Sequence, residues 1–298
     1  GEGHPVPGLL KPLIAVPTTA GTGSETTGVA IFDYVEQKAK TGIAHRYLKP
    51  TLGIVDSDNT RTLPAEVAAS TGLDVLSHAL ESYTALPYDR RPKPESPLRR
   101  PAYQGANPIS DLWALHALKL TGKYLRRAVA DGGDDEARAN MLLAAAIAGI
   151  GFGNAGVHLP HGMSYPVSGM VRDFTPKGYP QDHPIIPHGM AVALSAPAAL
   201  RFTAQANPER HLHLAKLMGA DVSDAVPQDA GKVLARANVA LMSRTGMPNA
   251  QRAVGYGPND EQDQVARTLA QQRLNRLSPR PAEAEELRRL FLNAMSYW

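Results

Sequence analysis

An aspartate and a histidine four residues apart are the first side chains here whose types and spacing could do chemistry. Asp74 and His78 lie in the apolar stretch GLDVLSHALESY, residues 72–83, which has the pattern of a helix. At this spacing both side chains lie on one helix face, one turn apart. A carboxylate and an imidazole placed in this way either pair with each other inside a helical core or bind a metal ion.

Two later histidines favour the metal interpretation. His161 and His188 each stand in a Pro-His-Gly sequence, before a run of small or apolar residues that can begin a helix. Together with Asp74 and His78 they would offer three neutral imidazoles and one carboxylate, a set that suits Fe(II) or Zn(II) better than calcium or magnesium. Such an ion would act as a Lewis acid on an alcohol or carbonyl oxygen. Hydride chemistry would also need a nicotinamide.

A hydroxyl-rich loop is the candidate for contact with that cofactor. The loop TTAGTGSE, residues 18–25, follows the apolar run LIAVP, residues 13–17, which predicts a buried strand. Its glycines allow close backbone approach, and its hydroxyls and N–H groups suit an anion such as a phosphate. A turn that caps a helix is an equally good interpretation of the loop.

The elements that must position these residues change in character along the chain. Strand-like runs at residues 29–35 and 52–55 follow the loop, with Lys40 between them. From Pro64 onwards, a residue that suits the first turn of a helix, nearly every segment is helical in pattern. The predicted helices span residues 64–70, 73–86, 108–130, 135–152, 188–206, 208–217, 226–245 and 282–296, and the charged part from 261 to the C-terminus predicts surface helices. The sequence therefore predicts a mainly α fold after a few strands.

The composition narrows the functional classes. The 298 residues are 43% hydrophobic and 20% charged, as in a globular protein. The net charge of +3, without a basic run interleaved with aromatics, gives no indication of nucleic-acid binding. The absence of cysteine excludes disulfides and thiolate metal sites. No apolar stretch reaches the length of a membrane span and the first residues lack a signal-peptide profile. We therefore expect a soluble intracellular protein, cytoplasmic or, in a eukaryote, in the mitochondrial matrix.

Several motifs together resemble those of the iron-containing (group III) alcohol dehydrogenases. They are PTTAGTGSE, the DxxxH of GLDVLSHALESY, HGMSYP and PHGM, in family order from about Pro12 to the C-terminus. Stretches such as TTGVAIFDY and AGIGFGNAGVHLPHGMSYPVSG are most similar to the family branch that passes hydride between a hydroxy acid and an oxo acid. The resemblance implies an α/β nucleotide-binding lobe followed by an all-helical metal-binding domain. We expect residues 1–62 to be the remnant strands of that lobe and residues 63–298 to be the metal and substrate domain.

The resemblance also implies the residues of the site. It carries the ligands of Fe(2+) or Zn(2+) over onto Asp74, His78, His161 and His188. It carries the contacts to NAD over onto Thr18, Thr19, Gly23, Ser24, Lys40 and Thr60.

Two departures from the family pattern bear on the chemistry. Tyr165 stands where many members have a histidine near the nicotinamide. Its hydroxyl could relay or donate a proton as a catalytic group, or its ring could fill the cleft. In the long insert before the last ligand, Arg172, Lys177 and His183 could neutralise a dicarboxylate substrate, although a solvated surface is the favoured interpretation.

A third departure concerns the nucleotide. The family's glycine-rich pyrophosphate turn would precede the first residue of this sequence. We therefore expect this chain alone to bind NAD weakly, and a submicromolar dissociation constant measured by calorimetry would contradict that expectation.

The resemblance implies that 4-hydroxybutyrate is oxidised to succinate semialdehyde while 2-oxoglutarate is reduced to 2-hydroxyglutarate. The alternatives are an ordinary NAD-linked alcohol dehydrogenase that releases its cofactor and a non-catalytic helical module. Hydrolysis is disfavoured because no second carboxylate is evident near the ligands. The expected partners are small hydroxy and oxo acids and further copies of this chain in a homo-oligomer, with no nucleic acid or membrane.

Overall fold

Helices make up most of the part of the chain that the computed structural model describes, which comprises residues 6, 8–34, 36, 39–97 and 100–298. The mainly helical fold predicted from the sequence is confirmed. The helices are α1 (Ala65–Thr84), α2 (Pro108–Ala130), α3 (Asp135–Ala155), α4 (Leu159–Gly169), α5 (His188–Thr203), α6 (Pro208–Leu217), α7 (Ala230–Arg244), α8 (Glu261–Leu269), α9 (Gln272–Asn275) and α10 (Ala284–Asn293).

The strands precede the helices and form two small pairs. They are β1 (Ile14–Ala15), β2 (Val29–Tyr34), β3 (Ala39–Ala44) and β4 (Leu52–Gly53). β1 pairs with β4 in parallel, and β2 pairs with β3 antiparallel, with Val29 opposite Ala44. The three predicted strand runs are present in shorter form, and residue 35 lies outside the described residues. The prediction that the first run is buried is wrong, because Leu13 and Ile14 are 51% and 58% exposed. β3 was missed because its sequence, AKTGIA, lacks a continuous apolar run. Assignment of these strands to a nucleotide-binding lobe stays a prediction.

α1 lies at the centre of the helical domain. Every one of its residues from Gly72 to Thr84 is buried, as expected of a helix that is apolar on nearly all sides. The sequence predicts a break between residues 70 and 73, and that prediction is wrong. A Cβ atom on Gly72 would lie 2.2 Å from Cδ1 of Leu125 in α2. The glycine therefore lets α1 and α2 pack closely and does not end the helix.

Local sequence signals fix the starts of α2 and α3. Asn107 accepts a hydrogen bond from the backbone N–H of Ser110 at 3.0 Å, and Pro108 occupies the first turn of α2. Asp134 accepts in the same way from the N–H of Ala137 at 3.0 Å at the start of α3. α2, α3 and α5 pack around α1, and their leucines and alanines form one core.

α4 is absent from the predicted helix ranges, although the Pro-His-Gly sequence at His161 indicated that a helix could begin there. It lies in the glycine-rich segment that contains His161, and it includes Pro166 in its interior. Only packing against neighbouring helices stabilises so unfavourable a sequence as a helix. α10, predicted as a surface helix, is amphipathic and buries Leu287 and Phe291 completely in the core.

No single helix in the described ranges is both long and apolar enough to cross a membrane. α3 and α4 pass that test only as a pair, and the chain bends by 108° between them.

Candidate metal centre

α1 supplies the first two predicted ligands from its buried middle. Asp74 and His78 are 1% and 3% exposed, and they lie one turn apart on the same face. Oδ1 of Asp74 lies 3.7 Å from Nε2 of His78. The His78 ring also stacks on Phe152 of α3, with the ring centroids 4.0 Å apart and the planes inclined by 13°. Stacking on a buried aromatic holds the imidazole in one orientation.

The starts of α4 and α5 bring the other two histidines to the same place. His161 belongs to the first turn of α4, and His188 is the first residue of α5. Gly189 makes this approach possible, because a Cβ atom there would lie 2.2 Å from the carbonyl oxygen of Ser70 and 2.9 Å from Cβ of Asp74. The glycine of the second Pro-His-Gly sequence thus allows α5 to begin directly against α1.

The donor atoms of Asp74, His161 and His188 converge on one point from α1, α4 and α5, and His78 approaches Asp74 and His161 without belonging to that mutually close set of three. Oδ1 of Asp74 lies 3.5 Å from Nε2 of His161 and 3.9 Å from Nε2 of His188. The Nε2 atoms of His161 and His78 are 3.1 Å apart. Asp74, His161 and His188 each present a donor atom within 4.8 Å of the other two.

These distances fit a bound divalent ion. At a metal–ligand distance of about 2.1 Å, donor atoms around a tetrahedral ion lie about 3.4 Å from one another. The measured separations from 3.1 to 3.9 Å bracket that value. Oδ1 of Asp74 is buried and has no hydrogen-bond partner in the described part of the chain. Because a buried carboxylate oxygen without a partner is costly, a cation between these side chains would compensate it.

Three of the four predicted ligands, Asp74, His78 and His188, have a protonation state that suits metal binding. Burial alone would raise the pKa of Asp74, but the nearby histidines outweigh burial and hold that pKa well below its usual range. Burial lowers the pKa of both His78 and His188 to about 4, so both are neutral, as ligands must be. Burial would also lower the pKa of His161, but Glu81 and Asp74 outweigh it and raise that pKa to about 9. Metal binding would therefore release a proton from His161.

Glu81 is a functional residue that the sequence analysis missed. It is fully buried on α1, and its Oε1 accepts a hydrogen bond from Nδ1 of His161 at 2.6 Å. Its Oε2 accepts from the backbone N–H groups of His158 at 2.7 Å and His161 at 3.4 Å. One carboxylate therefore caps the start of α4 and turns Nε2 of His161 towards Asp74. The signal was an acidic residue three positions after His78 in an apolar helix.

Glu81 also corrects the expectation that no second carboxylate lies near the ligands. Both of its oxygens already accept hydrogen bonds from groups of α4. It is therefore committed to holding His161 and is not a free base for hydrolysis. His158, the N-cap residue of α4, forms a hydrogen bond with Thr84 through Nε2 at 3.0 Å and is not a member of the cluster.

A cavity of about 270 Å³ opens beside the donor atoms, and three of its lining residues are His78, His161 and His188. Of the residues predicted to contact NAD, Ser24 and Lys40 line this cavity. Thr22, from the same hydroxyl-rich loop, lines it as well, although it was not predicted. Residues from the strand segment (8–62) and from the helical domain (63–298) thus line one cavity.

The remaining predicted cofactor residues do not line the cavity. Thr18 and Thr19 lie earlier in the hydroxyl-rich loop, with Thr18 exposed. Gly23 is buried, with a left-handed backbone at φ 58°, and a Cβ atom there would lie 2.8 Å from the carbonyl oxygen of Ala145 in α3. This glycine anchors the loop on α3. Thr60 is fully buried, and its hydroxyl donates to the carbonyl of Ser57 at 2.8 Å.

Tyr165 and a residue that the sequence analysis missed, Arg273, form another wall of the cavity. Nη2 of Arg273 donates to the hydroxyl of Tyr165 at 3.3 Å. Burial raises the pKa of Tyr165, an effect that the guanidinium reduces, so the phenol is neutral near pH 7. The Tyr165 ring meets the ring of His188 edge-on at a centroid distance of 6.4 Å.

The charged residues of the insert lie elsewhere. Arg172 pairs with Asp260, His183 pairs with Asp182 at 2.7 Å, and Lys177 is exposed. None of the three is among the residues that line the cavity. Their positions agree with the favoured interpretation of a solvated surface.

Comparisons with known proteins agree with this architecture. A family model described as Fe-containing alcohol dehydrogenase family, C-terminal, matches residues 102–295, and a model described as iron-containing alcohol dehydrogenase matches residues 1–57. The mitochondrial hydroxyacid-oxoacid transhydrogenase of Bos taurus is 55% identical over 299 residues, which cover 100% of this chain and 64% of that relative.

Two solved structures are similar in fold. A 1,3-propanediol oxidoreductase superposes with a TM-score of 0.82 at 29% identity, over 97% of this chain and 67% of that one. Sulfoacetaldehyde reductase from Bifidobacterium kashiwanohense, in complex with NAD+, gives a TM-score of 0.74 at 29% identity, over 96% of this chain and 65% of that one.

Proposed function

The chain belongs to the iron-containing alcohol dehydrogenase family, and from that premise we propose that it is a metal- and NAD-dependent oxidoreductase of the hydroxyacid-oxoacid transhydrogenase type. In this proposal 4-hydroxybutyrate is oxidised to succinate semialdehyde while 2-oxoglutarate is reduced to 2-hydroxyglutarate. The chain spans 64% of the length of the bovine relative, so the activity of the whole protein is part of the proposal. The convergence of Asp74, His161 and His188 is the observation that carries it.

In the proposed site Asp74, His78, His161 and His188 hold one Fe(2+) or Zn(2+) ion. Such an ion, when bound, supplies a Lewis acid for the hydroxyl or carbonyl oxygen of a substrate. The chain itself contributes the fixed orientation of the donors: Phe152 stacks on His78, and Glu81 holds His161. Burial of the donors excludes water from their far side, which strengthens electrostatic interactions in the site.

We propose that the nicotinamide of NAD, which supplies the hydride acceptor, binds in the 270 Å³ cavity. Ser24 and Lys40 support this proposal because they line the cavity. Thr18, Thr19 and Gly23 belong to the loop that approaches it, and their contacts with NAD stay predictions. Thr60 also stays a prediction, although its burial and its bond to Ser57 point to a role in holding the chain before α1.

Tyr165 is proposed as a group near the reacting atoms, since it lines the cavity beside His188. Its raised pKa keeps the hydroxyl proton in place. In the proposed site this proton is therefore available as a hydrogen-bond donor to a substrate oxygen, and Arg273 orients the hydroxyl.

An ordinary NAD-linked alcohol dehydrogenase is the second candidate, because the fold superposes on a 1,3-propanediol oxidoreductase with a TM-score of 0.82. The two candidates differ in whether the cofactor leaves after each turnover. The test supplies the metal-loaded full-length protein, with only the NAD that it retains through purification, with 4-hydroxybutyrate and 2-oxoglutarate, and measures 2-hydroxyglutarate. Sustained formation supports the transhydrogenase, and formation of semialdehyde only with added NAD supports the second candidate.

Three further predictions concern the setting of the site. We propose that residues 1–62 belong to a nucleotide-binding lobe and residues 63–298 to the metal domain. The name of the bovine relative places that protein in mitochondria, and we propose the mitochondrial matrix for this chain if its source is a eukaryote. Light scattering after size-exclusion chromatography would test the predicted homo-oligomer.

A further inference from the structure

Arg273 is a cation in the cavity wall that makes no ion pair among the described residues. Its Nη1 donates to the hydroxyl of Tyr103 at 3.2 Å, and its Nη2 donates to the hydroxyl of Tyr165 at 3.3 Å. The guanidinium also lies over the Tyr103 ring, 5.4 Å from the ring centroid. These partners are neutral, so they position the positive charge without compensating it. A partly buried charge held in this way favours an anionic partner.

The other charges around the cavity also favour an anionic ligand. Apart from the three histidines, its described lining contains two cations, Lys40 and Arg273, and no carboxylate. Lys40 already pairs with Asp33 at 2.8 Å. Arg273 is therefore the cation of the lining that remains for a ligand, and a cleft lined by one sign of charge attracts the opposite sign.

The arrangement of the cavity suggests which anion fits. Tyr165 lies between Arg273 and the proposed metal ligands. Its hydroxyl accepts a hydrogen bond from Arg273, and its ring lies edge-on to the ring of His188. Apolar side chains of Phe152, Val157 and Leu274 line the cavity as well. A ligand with a polar group at each end of a short methylene chain would match this order of surfaces.

The guanidinium still has donors to give. It carries five N–H groups, and one N–H from each terminal nitrogen goes to a tyrosine. The remaining donors can bind both oxygens of a carboxylate, the geometry in which arginine recognises that group best.

We propose that Arg273 binds the carboxylate of the substrate while the hydroxyl or oxo group at the other end faces Asp74 and the three histidines. The inference rests on the proposed function and adds to it the residue that selects acids over neutral alcohols. Short hydroxy acids and oxo acids are the substrate class, and an alcohol of equal length without the carboxylate lacks this contact.

The test compares an acid with a neutral alcohol of equal length. Steady-state rates of metal-loaded wild type and Arg273→Gln, with NAD supplied, are measured on 4-hydroxybutyrate and on butan-1-ol. Loss of a charge-assisted carboxylate contact should lower kcat/KM for the acid by about 10- to 100-fold, mainly through KM. The kcat/KM for butan-1-ol should fall clearly less than that for the acid, because the alcohol loses no carboxylate contact and only the orientation of the Tyr165 hydroxyl is disturbed.

Two further variants and a binding measurement distinguish loss of carboxylate binding from a general disturbance of the fold. Arg273→Lys keeps the charge without the planar fork and should recover part of the acid activity. Arg276→Gln, an exposed arginine on the same segment outside the cavity, should leave both substrates unaffected. Calorimetry with succinate, a carboxylate probe that cannot react, should show binding to wild type and weaker binding to Arg273→Gln.

The outcomes distinguish failure of this inference from failure of the proposed function. If Arg273→Gln lowers acid and alcohol activity equally, or changes neither, carboxylate recognition by Arg273 is wrong. If wild type turns over no hydroxy acid while succinate binding still depends on Arg273, the proposed function fails and the carboxylate site stands.

Discussion

The strand segment, residues 8–62, and the helical domain, residues 63–298, differ in how far their apolar side chains are buried. In the described part of the strand segment Leu13, Ile14 and Leu52 are each about half exposed. In the helical domain Leu73, Leu142 and Leu194 are almost completely buried. The helical domain therefore has a hydrophobic core, whereas the strands have their apolar side chains largely in solvent.

The two sides of the cavity differ in the same way. The four donor residues belong to buried helices and are held by buried neighbours such as Glu81 and Phe152. Ser24 and Lys40 reach the cavity from a loop and from β3, outside the helical core. The proposed metal ligands therefore lie in the helical domain, whereas the proposed cofactor contacts Ser24 and Lys40 lie in the strand segment.

The largest expected effect is loss of metal from His161→Ala. Wild type should contain about one Fe or Zn per chain and the variant very little, because one of four ligands is missing. Ser24→Ala, on the cofactor side, should keep its metal. Elemental analysis of the purified proteins checks this, with His183→Ala as the matched exposed histidine. Equal metal in His161→Ala and wild type would contradict the assignment of the cluster.

A matched pair of leucines tests the difference in burial directly. Leu142→Ala, in α3, should lower the free energy of unfolding by about 2–5 kcal/mol, because it leaves a cavity in the core. Leu52→Ala, at a half-exposed position in β4, should change it by about 0.5 kcal/mol or less. Urea unfolding followed by circular dichroism measures both. Similar values for the two variants would remove the distinction between the regions.

Glu81→Gln tests whether the buried carboxylate of Glu81 holds His161 in the position needed to bind the metal. Both oxygens of Glu81 accept hydrogen bonds. The side chain of glutamine has only one acceptor oxygen, so its NH2 group would face either the His158 N–H or Nδ1 of His161, both of which are donors. Metal affinity should fall about 10- to 100-fold, as measured by competition with a chelator. Ser82→Ala is the matched control, since the buried hydroxyl of this neighbouring residue has no hydrogen-bond partner in the described part of the chain. Unchanged affinity in Glu81→Gln would show that His161 needs no such support.

Acid should also lower the free energy of unfolding, through a buried histidine of the helical core. Nδ1 of His211 donates to the carbonyl of Asn207 at 2.7 Å, and Nε2 lies 3.0 Å from the hydroxyl of Thr203. Burial lowers the pKa of His211 from 6.5 to about 4. Below pH 6.5 the unfolded chain binds the proton and the folded chain does not, so stability is lost between pH 6.5 and about 4.

The His211→Gln variant isolates this effect. Over that pH range the free energy of unfolding of wild type should fall more steeply than that of the variant, by about 1.4 kcal/mol per pH unit for one proton. Unfolding curves at several pH values, compared between the two proteins, give the slopes. Identical slopes would exclude His211 as the source.

The sequence determined the features that depend on neighbours along the chain. The spacing of Asp74 and His78 places them on one helix face because the helical repeat is local. The two Pro-His-Gly sequences mark helix starts for the same kind of reason. The mainly α fold and the three predicted strand runs also follow from local patterns, since periodicity and composition decide them.

Only the tertiary structure decided which distant residues meet. His161 and His188 reach Asp74 because α4 and α5 begin against α1, and the fit depends on the missing side chain of Gly189. Glu81 and Arg273 read in the sequence as an ordinary acidic residue and a surface arginine. Their partners lie 80 and 108 positions away, at His161 and Tyr165 respectively. Contacts over such separations are set by how the helices pack, and no local spacing encodes that.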